Sequence, residues 1–483
     1  MMAGAVRPCP LRSLFQETDA PLMLPDTAPA SLAALLAAFA PLFTAPSFRT
    51  FTALACGFLA QPGKRTVCGM LAGAGLARRW PHDRAHWFFS RARWDADALG
   101  LAAAVMVVSL LVPAGAPVDV AVDDTLFKRR GKKVWAASWF HDGSAPGPAK
   151  TGYGNNWVVL GVVVRLPFTS RPVAVPVMAK LVIKGTNSKS RLWLARQMAQ
   201  RLARALPGRQ VRVVADSAYA GGELKDLPAG LSWTTRLRKD AALHALPPER
   251  TGRRGRPRVK GDRLPSLAGI AASAEFSQVT VTRYGRTETV GAAVVTCLWY
   301  SVFGSLPVQV VIVRDKPGTA FGIALVTTDR DATAQQVIER YASRWSIEVA
   351  IEDSKQLFGA GQARNRTAAA VERTVPFQIA CQSVAVTWYA TAGHDPADLQ
   401  ERRAQAPWYA GKTEPATSDM VAKIRRVIIA ARFKASRPDQ PTQQEMSVLR
   451  LAWEDLEPLA AYNCESREFM QPFLGTFGRG QGW

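Results

Sequence analysis

The stretch VDVAVDDT, residues 118–125, decides how the chain is read. Valines at 118, 120 and 122 alternate with other residues, the period of a β-strand with one face buried. The alternation runs into two acids, Asp123 and Asp124, and then Thr125. A second acid-tipped stretch, VRVVADSAY (211–219), carries Asp216 at the end of its apolar run. Between them lie β-like stretches at 133–140, 156–165 and 171–183, the middle one continuously apolar, as in a strand covered on both faces. They are followed by a helical pattern over 190–205, with Leu192, Leu194, Met198, Leu202 and Leu206 as its apolar positions. Strands, a helix and another strand ending in Asp predict an α/β core. GGELKDL, from residue 221, is expected to open a further helix.

Outward from this core the texture changes on both sides. Residues 29–112 read as helical, Ala- and Leu-rich with Gly and Pro breaks. Within them Arg78, Arg79, Arg84, Arg91 and Arg93 stand among Trp80, Trp87 and Trp94, a mixture that suits either DNA contact or a helical core with a solvated basic face. The apolar run 98–112 is shorter than the roughly 20 residues of a spanning helix and reads as buried. Residues 240–265 hold four prolines and the run RTGRRGRPRVKGDR, a basic loop. Its Arg254-Gly255-Arg256-Pro257 core is of the kind that enters a narrow minor groove, or else a plain basic linker. Residues 277–327 are β-rich again, a helix starts near Ala334, and the tail from about 367 is mostly helical. The resulting division is a helical DNA-binding segment (1–112), the first part of the core (113–239), a β-rich insertion with the basic loop (240–335), the core's last helix (336–375) and a helical C-terminal domain (376–483).

The chain of 483 residues has 61 Lys+Arg against 38 Asp+Glu, a formal net charge of +23. That balance attracts polyanions, with nucleic acid first among them, although a membrane surface or a ribosome would satisfy charge alone. The six cysteines (Cys9, Cys56, Cys68, Cys297, Cys381, Cys464) form no C-x-x-C pair, which speaks against a zinc site or a disulfide framework and for a reducing cytoplasm. The start of the sequence shows no apolar signal-peptide region.

Three acidic positions carry the chemistry: Asp123, Asp216 and Glu348, the last in YASRWSIEVAIEDSK (341–355). Carboxylates at neighbouring strand ends, joined by one from a helix on the sheet, can converge. Hard cations such as Mg²⁺ take oxygen ligands, and a pair of ions clamped by carboxylates stabilises both the attacking and leaving oxygens of a phosphodiester displacement. Each acid alone reads more plainly as a turn, cap or solvated residue. Tyr341, Arg344, Glu348, Glu352 and Lys355 recur at helical spacing and share one face, either as a surface ion-pair stripe or as a row facing a site. Asp124 competes with Asp123, and Glu352 with Glu348. The strand alternation favours Asp123.

The pattern Tyr-x2-Arg-x3-Glu-x6-Lys at Tyr341, Arg344, Glu348 and Lys355 resembles the signature of a branch of bacterial insertion-sequence transposases of the DDE type. Asp123-Asp124-Thr125 and the Asp of VVADSAY fit that branch's first two acids, and the signature spacing selects Glu348. The resemblance covers roughly residues 118–375. It implies a ribonuclease-H-like catalytic core interrupted by a β-rich insertion, two Mg²⁺ ions (Mn²⁺ in substitution) on Asp123, Asp216 and Glu348, and phosphate contacts from Arg344, Lys355 and Tyr341. It further implies double-stranded DNA, both transposon terminal inverted repeats and target, as the partner, with a homodimer on the paired ends. Release through a hairpin would need a flipped base held by an aromatic, for which Trp299 is the candidate, although a tryptophan of the core is the plainer reading of that residue. Arg254 and Arg256 are candidates for groove contact. A transposase-derived DNA-binding protein without catalysis and a ribonuclease-H-fold nuclease that cuts without joining are the competing readings.

Overall fold

The computed structural model describes residues 28–436 except 144, 146, 147, 186, 187, 250–256 and 316–320. Arg254 and Arg256 lie outside the described residues, as do Cys9 and Cys464.

The N-terminal part is helical as expected: α1 (Ala30–Ala37), α2 (Ala45–Ala60), α3 (Val67–Gly73), α4 (His82–Ser90) and α5 (Ala96–Leu111). Asp95 caps α5 by accepting a bond from the Ala98 N–H at 2.8 Å. The apolar length of α5 packs on the sheet and on a later helix, and no described helix is long and apolar enough to cross a membrane. Helices α2 and α3 touch backbone to backbone at Gly57, where a Cβ would fall 1.9 Å from the Met70 carbonyl oxygen. The basic–aromatic segment has a helical core and an exposed basic face. Trp94 is core, its Nε1–H donating to the Phe88 carbonyl at 2.8 Å. Arg78, Arg79, Arg91, Arg93 and Trp87 face outward.

The strands follow: β1 (Val118–Lys128), β2 (Ser138–His141), β3 (Thr151–Val164) and β4 (Val173–Leu181), then α6 (Arg191–Ala205), β5 (Val211–Ala215) and β6 (Leu231–Arg236). The strand expected at 133–140 is thus shorter and later. Residues 222–224 make a single 3-10 turn where a helix was expected, before Pro228 cuts the segment off. Next come α7 (Leu267–Ser273), β7 (Ser277–Arg283), β8 (Arg286–Cys297), α8 (Tyr300–Phe303), β9 (Val308–Arg314) and β10 (Ile323–Thr327). The chain continues with α9 (Ala334–Ser343), α10 (Trp345–Gln356), α11 (Ala368–Trp388), α12 (Ala397–Gln405) and α13 (Thr417–Ser436).

All the strands join one mixed sheet in the order β2-β3-β1-β5-β6-β10-β9-β8-β7, with β4 also paired to β3. Strand β3 runs antiparallel to both β1 and β4, whereas β5 and β6 run parallel to β1. The β-rich segment therefore prolongs the core sheet through the β6–β10 pairing. Before it, residue 244 bridges to residues 263 and 298, tying down both ends of the basic loop. Pro176 sits in β4 beside an irregularity in the β3–β4 register, where a missing N–H is tolerated.

The two faces of β1 meet different layers. Val118, Val120, Val122 and Leu126 belong to the larger core, together with α6 residues such as Leu194 and Met198. Ala121 and Phe127 belong to a second cluster with Ile347 and Ile351 of α10 and Val375 and Ile379 of α11. Odd positions of β1 thus face α10 and even positions face α6, the alternation the sequence shows.

Candidate active site

Asp123 does not end its strand, contrary to expectation, because β1 runs on to Lys128 against β3. What ends there is the parallel pairing with β5. Val122 is in register with Ala215, so Asp123 and Asp216 occupy the next register position on adjacent strands. Asp216 closes β5 and caps the turn at 217–219. Its Oδ1 accepts bonds from the Ala218 N–H (2.7 Å) and the Ser217 hydroxyl (2.8 Å).

Glu348 comes from the α10 layer, above the same face. The single helix expected through Tyr341–Lys355 is divided at Arg344 into α9 and α10. At the division Arg344 and Ile347 make i→i−3 bonds, to Tyr341 and Arg344 respectively. Ser343 and Ser346 donate their hydroxyls to the Arg340 and Ser343 carbonyls, at 2.7 Å each, occupying acceptors the helical ladder uses. Tyr341, Arg344 and Glu348 remain neighbours across the break. Arg344 Nη1 lies 2.6 Å from Glu348 Oε1, and the guanidinium carbon is 5.7 Å from the Tyr341 ring centroid.

The electrostatics tie these groups together. Burial, opposed by the Asp124 backbone N–H and reinforced by the charges of Glu348 and Asp124, pushes the Asp123 carboxyl up to about 7. Burial also raises Glu348; Arg344 pulls it back, and the charge of Asp216 adds to the rise. Burial raises the Tyr341 phenol, with Asp216 again contributing. Glu348 is therefore coupled to Asp123 and to Asp216, and Arg344 is the cation beside it. Lys355 stands at the rim, its ammonium 5.8 Å from the Phe127 ring centroid and Asp123 among the charges acting on it.

The two alternatives separate by position. Asp124 points to the α6 side, where its carboxylate accepts bonds from the Tyr219 hydroxyl (3.1 Å) and the Asn156 amide (3.0 Å) and faces Arg191 Nε at 3.4 Å. Glu352 is exposed and accepts a bond from Gln356. Trp299 is buried, with 3% of its surface exposed, and packs on Phe303 at 6.1 Å. A ring that grips a base needs a free face, so this structure gives Trp299 a core position instead.

Sequence reading gave no role to Tyr219, Asn156 or Arg129. Arg129 ties the end of β1 to the segment after α10, donating to Asn155 Oδ1 (2.9 Å) and to the carbonyls of Gly361 (2.8 Å) and Ala363 (2.7 Å). Its place in a basic run after the acid-bearing strand hides this structural use.

Among the described residues no three His, Cys, Asp or Glu side chains are already gathered as a cation cage. The donor set is nevertheless all carboxylate oxygen, the preference of a hard divalent ion. The repulsion of Glu348 with Asp123 and with Asp216 is of the kind that a divalent ion among them would offset.

A family model described as DDE superfamily endonuclease matches residues 38–301, a span that contains Asp123 and Asp216 and stops short of Glu348. No curated protein matches the chain. Among solved structures, a piggyBac transposase synaptic complex with hairpin DNA is similar at a TM-score of 0.38 and 12% identity, over 86% of this chain and 76% of that one. So distant a likeness carries no weight for this chain's chemistry.

Proposed function

The chain belongs to the DDE superfamily endonucleases, and from that premise we propose that it is a DNA transposase of the insertion-sequence kind, which cuts element ends and joins them to target DNA. The observation that supports this most is the register of Asp123 beside Asp216, with Glu348 acting on Asp123 and itself acted on by Asp216. The three antiparallel strands followed by two parallel ones support a ribonuclease-H-like core.

Asp123, Asp216 and Glu348 would hold two Mg²⁺ ions, or Mn²⁺, which when bound supply activation of water or a DNA 3′-hydroxyl and charge neutralisation at the leaving oxygen. Arg344 would exchange Glu348 for a phosphate of the scissile strand, a planar guanidinium being suited to two phosphate oxygens. Tyr341 would orient that phosphate through its hydroxyl, and Lys355 would bind a flanking one as a point charge. The outward arginines of the N-terminal helices and the basic run holding Arg254 and Arg256 would grip terminal inverted repeats. Two ends must be paired before joining, so a homodimer on DNA is part of the proposal, as is a cytoplasmic location.

The test is cleavage of a labelled duplex carrying the candidate element end, in Mg²⁺ and in EDTA, by wild type and Glu348→Gln. Nicking at the end that requires Mg²⁺ and vanishes in the variant, while binding persists, supports the reading. Equal cutting by the variant refutes the triad. Pre-cut ends offered with target DNA then separate joining from cutting alone.

A further inference from the structure

The segment joining β1 to β2, and β2 itself, use none of their aromatic and basic surface in the site described above. Thr125 through His141 contain no acidic residue, while Arg130, Lys132 and Lys133 are exposed. Further along the same segment Trp139 is 62% exposed on β2, at the edge of the sheet. Directly across the ladder it meets Tyr153, ring centroids 5.7 Å apart and edge to face. A large indole left in water on an edge strand gains nothing for the fold.

The register fixes which way this pair faces. Asp123 pairs with Val159 and Phe127 with Asn155, so Val159, Trp157, Asn155 and Tyr153 share the face of Asp123. Trp139, opposite Tyr153, shares it too. The indole therefore stands on the same sheet face as the carboxylates, further along the strand direction and beyond Phe127.

We propose that Trp139, buttressed by Tyr153 and preceded in the chain by the exposed Arg130, Lys132 and Lys133, is a stacking platform for an unpaired DNA strand leaving the site. Charge complementarity selects a polyanion. The indole selects unpaired bases, because in a duplex the base faces are already stacked on one another. This rests on the DNA-cutting reading of the neighbouring site, but its test does not require cutting.

The full chain, in EDTA, is titrated with a fluorescent blunt duplex and with the same duplex bearing a short single-stranded tail. Wild type should bind the tailed DNA more tightly. Trp139→Ala should lose about tenfold in affinity for the tailed DNA, the scale of one base–aromatic stack, and less than twofold for the blunt duplex. Trp139→Phe should recover most of the loss. Lys132→Ala/Lys133→Ala should flatten the salt dependence of tailed binding. Trp408→Ala, which removes another highly exposed indole (73%), should change neither. Unchanged tailed binding in Trp139→Ala overturns the proposal. So does an equal loss on both DNAs, which makes the strip a duplex contact. Loss of tailed binding in Trp139→Ala alongside a failed cleavage test would leave the platform standing and remove only the transposase reading.

Discussion

Arg344 and Glu348 sit one helical turn apart at the head of α10, joined at 2.6 Å, and both are largely shielded from water. The cation opposes the rise that burial and Asp216 impose on the Glu348 carboxyl, and in the proposed function its guanidinium is where a phosphate would come. Arg344→Gln removes both effects. Without the cation, Glu348 should take up a proton more readily, because burial and Asp216 both raise it. End cleavage should fall by roughly 10²-fold or more, in the range lost with one charge-stabilising group. Arg344→Lys should rescue only in part, since an ammonium lacks the fork. Single-turnover cleavage at saturating enzyme reads this, and a rate within threefold of wild type for the Gln variant would remove Arg344 from the mechanism.

Adjacent acids on β1 should separate by phenotype. Asp124 accepts from Tyr219 and Asn156 on the α6 side, and its loss strands two buried donors. Asp124→Ala should cost about 1–3 kcal/mol of stability, the scale of such orphaned groups, and leave cleavage per folded molecule near wild type. Asp123→Asn should do the reverse, keeping its melting temperature and losing cleavage. Thermal melts and cleavage assays on the two variants check both halves. The opposite pattern would hand the catalytic role to Asp124.

Much of this was legible in the sequence because alternation is a local signal. Val118, Val120 and Val122 mark one face of β1, the α6 side, which leaves Asp123 on the other. The spacing of Arg344 and Glu348 likewise predicts their contact. What escaped depends on partners remote in sequence. The end of the β1–β5 pairing, rather than of β1, places Asp123, and no local pattern shows it. The break at Arg344 arises from two serine hydroxyls competing for carbonyls, a choice helix spacing does not reveal. The joining of β10 to β6, which continues the core sheet, is a pairing between strands far apart in the chain.

Trp299 illustrates the same limit and gives a further expectation. Aromatics in core and at DNA look alike in sequence, and burial decides between them. Trp299→Ala should destabilise the protein by about 3–5 kcal/mol, as for other buried aromatics. Tailed and blunt DNA should then lose affinity together, in proportion to the folded fraction. A stable Trp299→Ala protein that fails only on DNA with an unpaired base would restore the base-holding role.

Asp353 provides the pH test. Burial pushes its carboxyl up to about 7, against a hydrogen bond from Thr417 at the start of α13 that lowers it and the charge of Glu352 that raises it. An unfolded aspartate titrates near 3.9. Between these values the folded chain holds a proton that the unfolded chain has released, so the folded form binds more protons and stability falls as pH rises. The group's contribution is full below about pH 4 and is lost progressively up to about pH 7. Its upper bound is about 4 kcal/mol, from three units at about 1.4 kcal/mol each. Asp353→Asn stays uncharged and should lose less stability than wild type between pH 5 and pH 8. Other groups titrate over the same range, so the variant's narrower melting-temperature gap, measured in EDTA, is the decisive quantity. Equal gaps in the two proteins would mean that Asp353 is ionised in the fold throughout, with Thr417 outweighing burial.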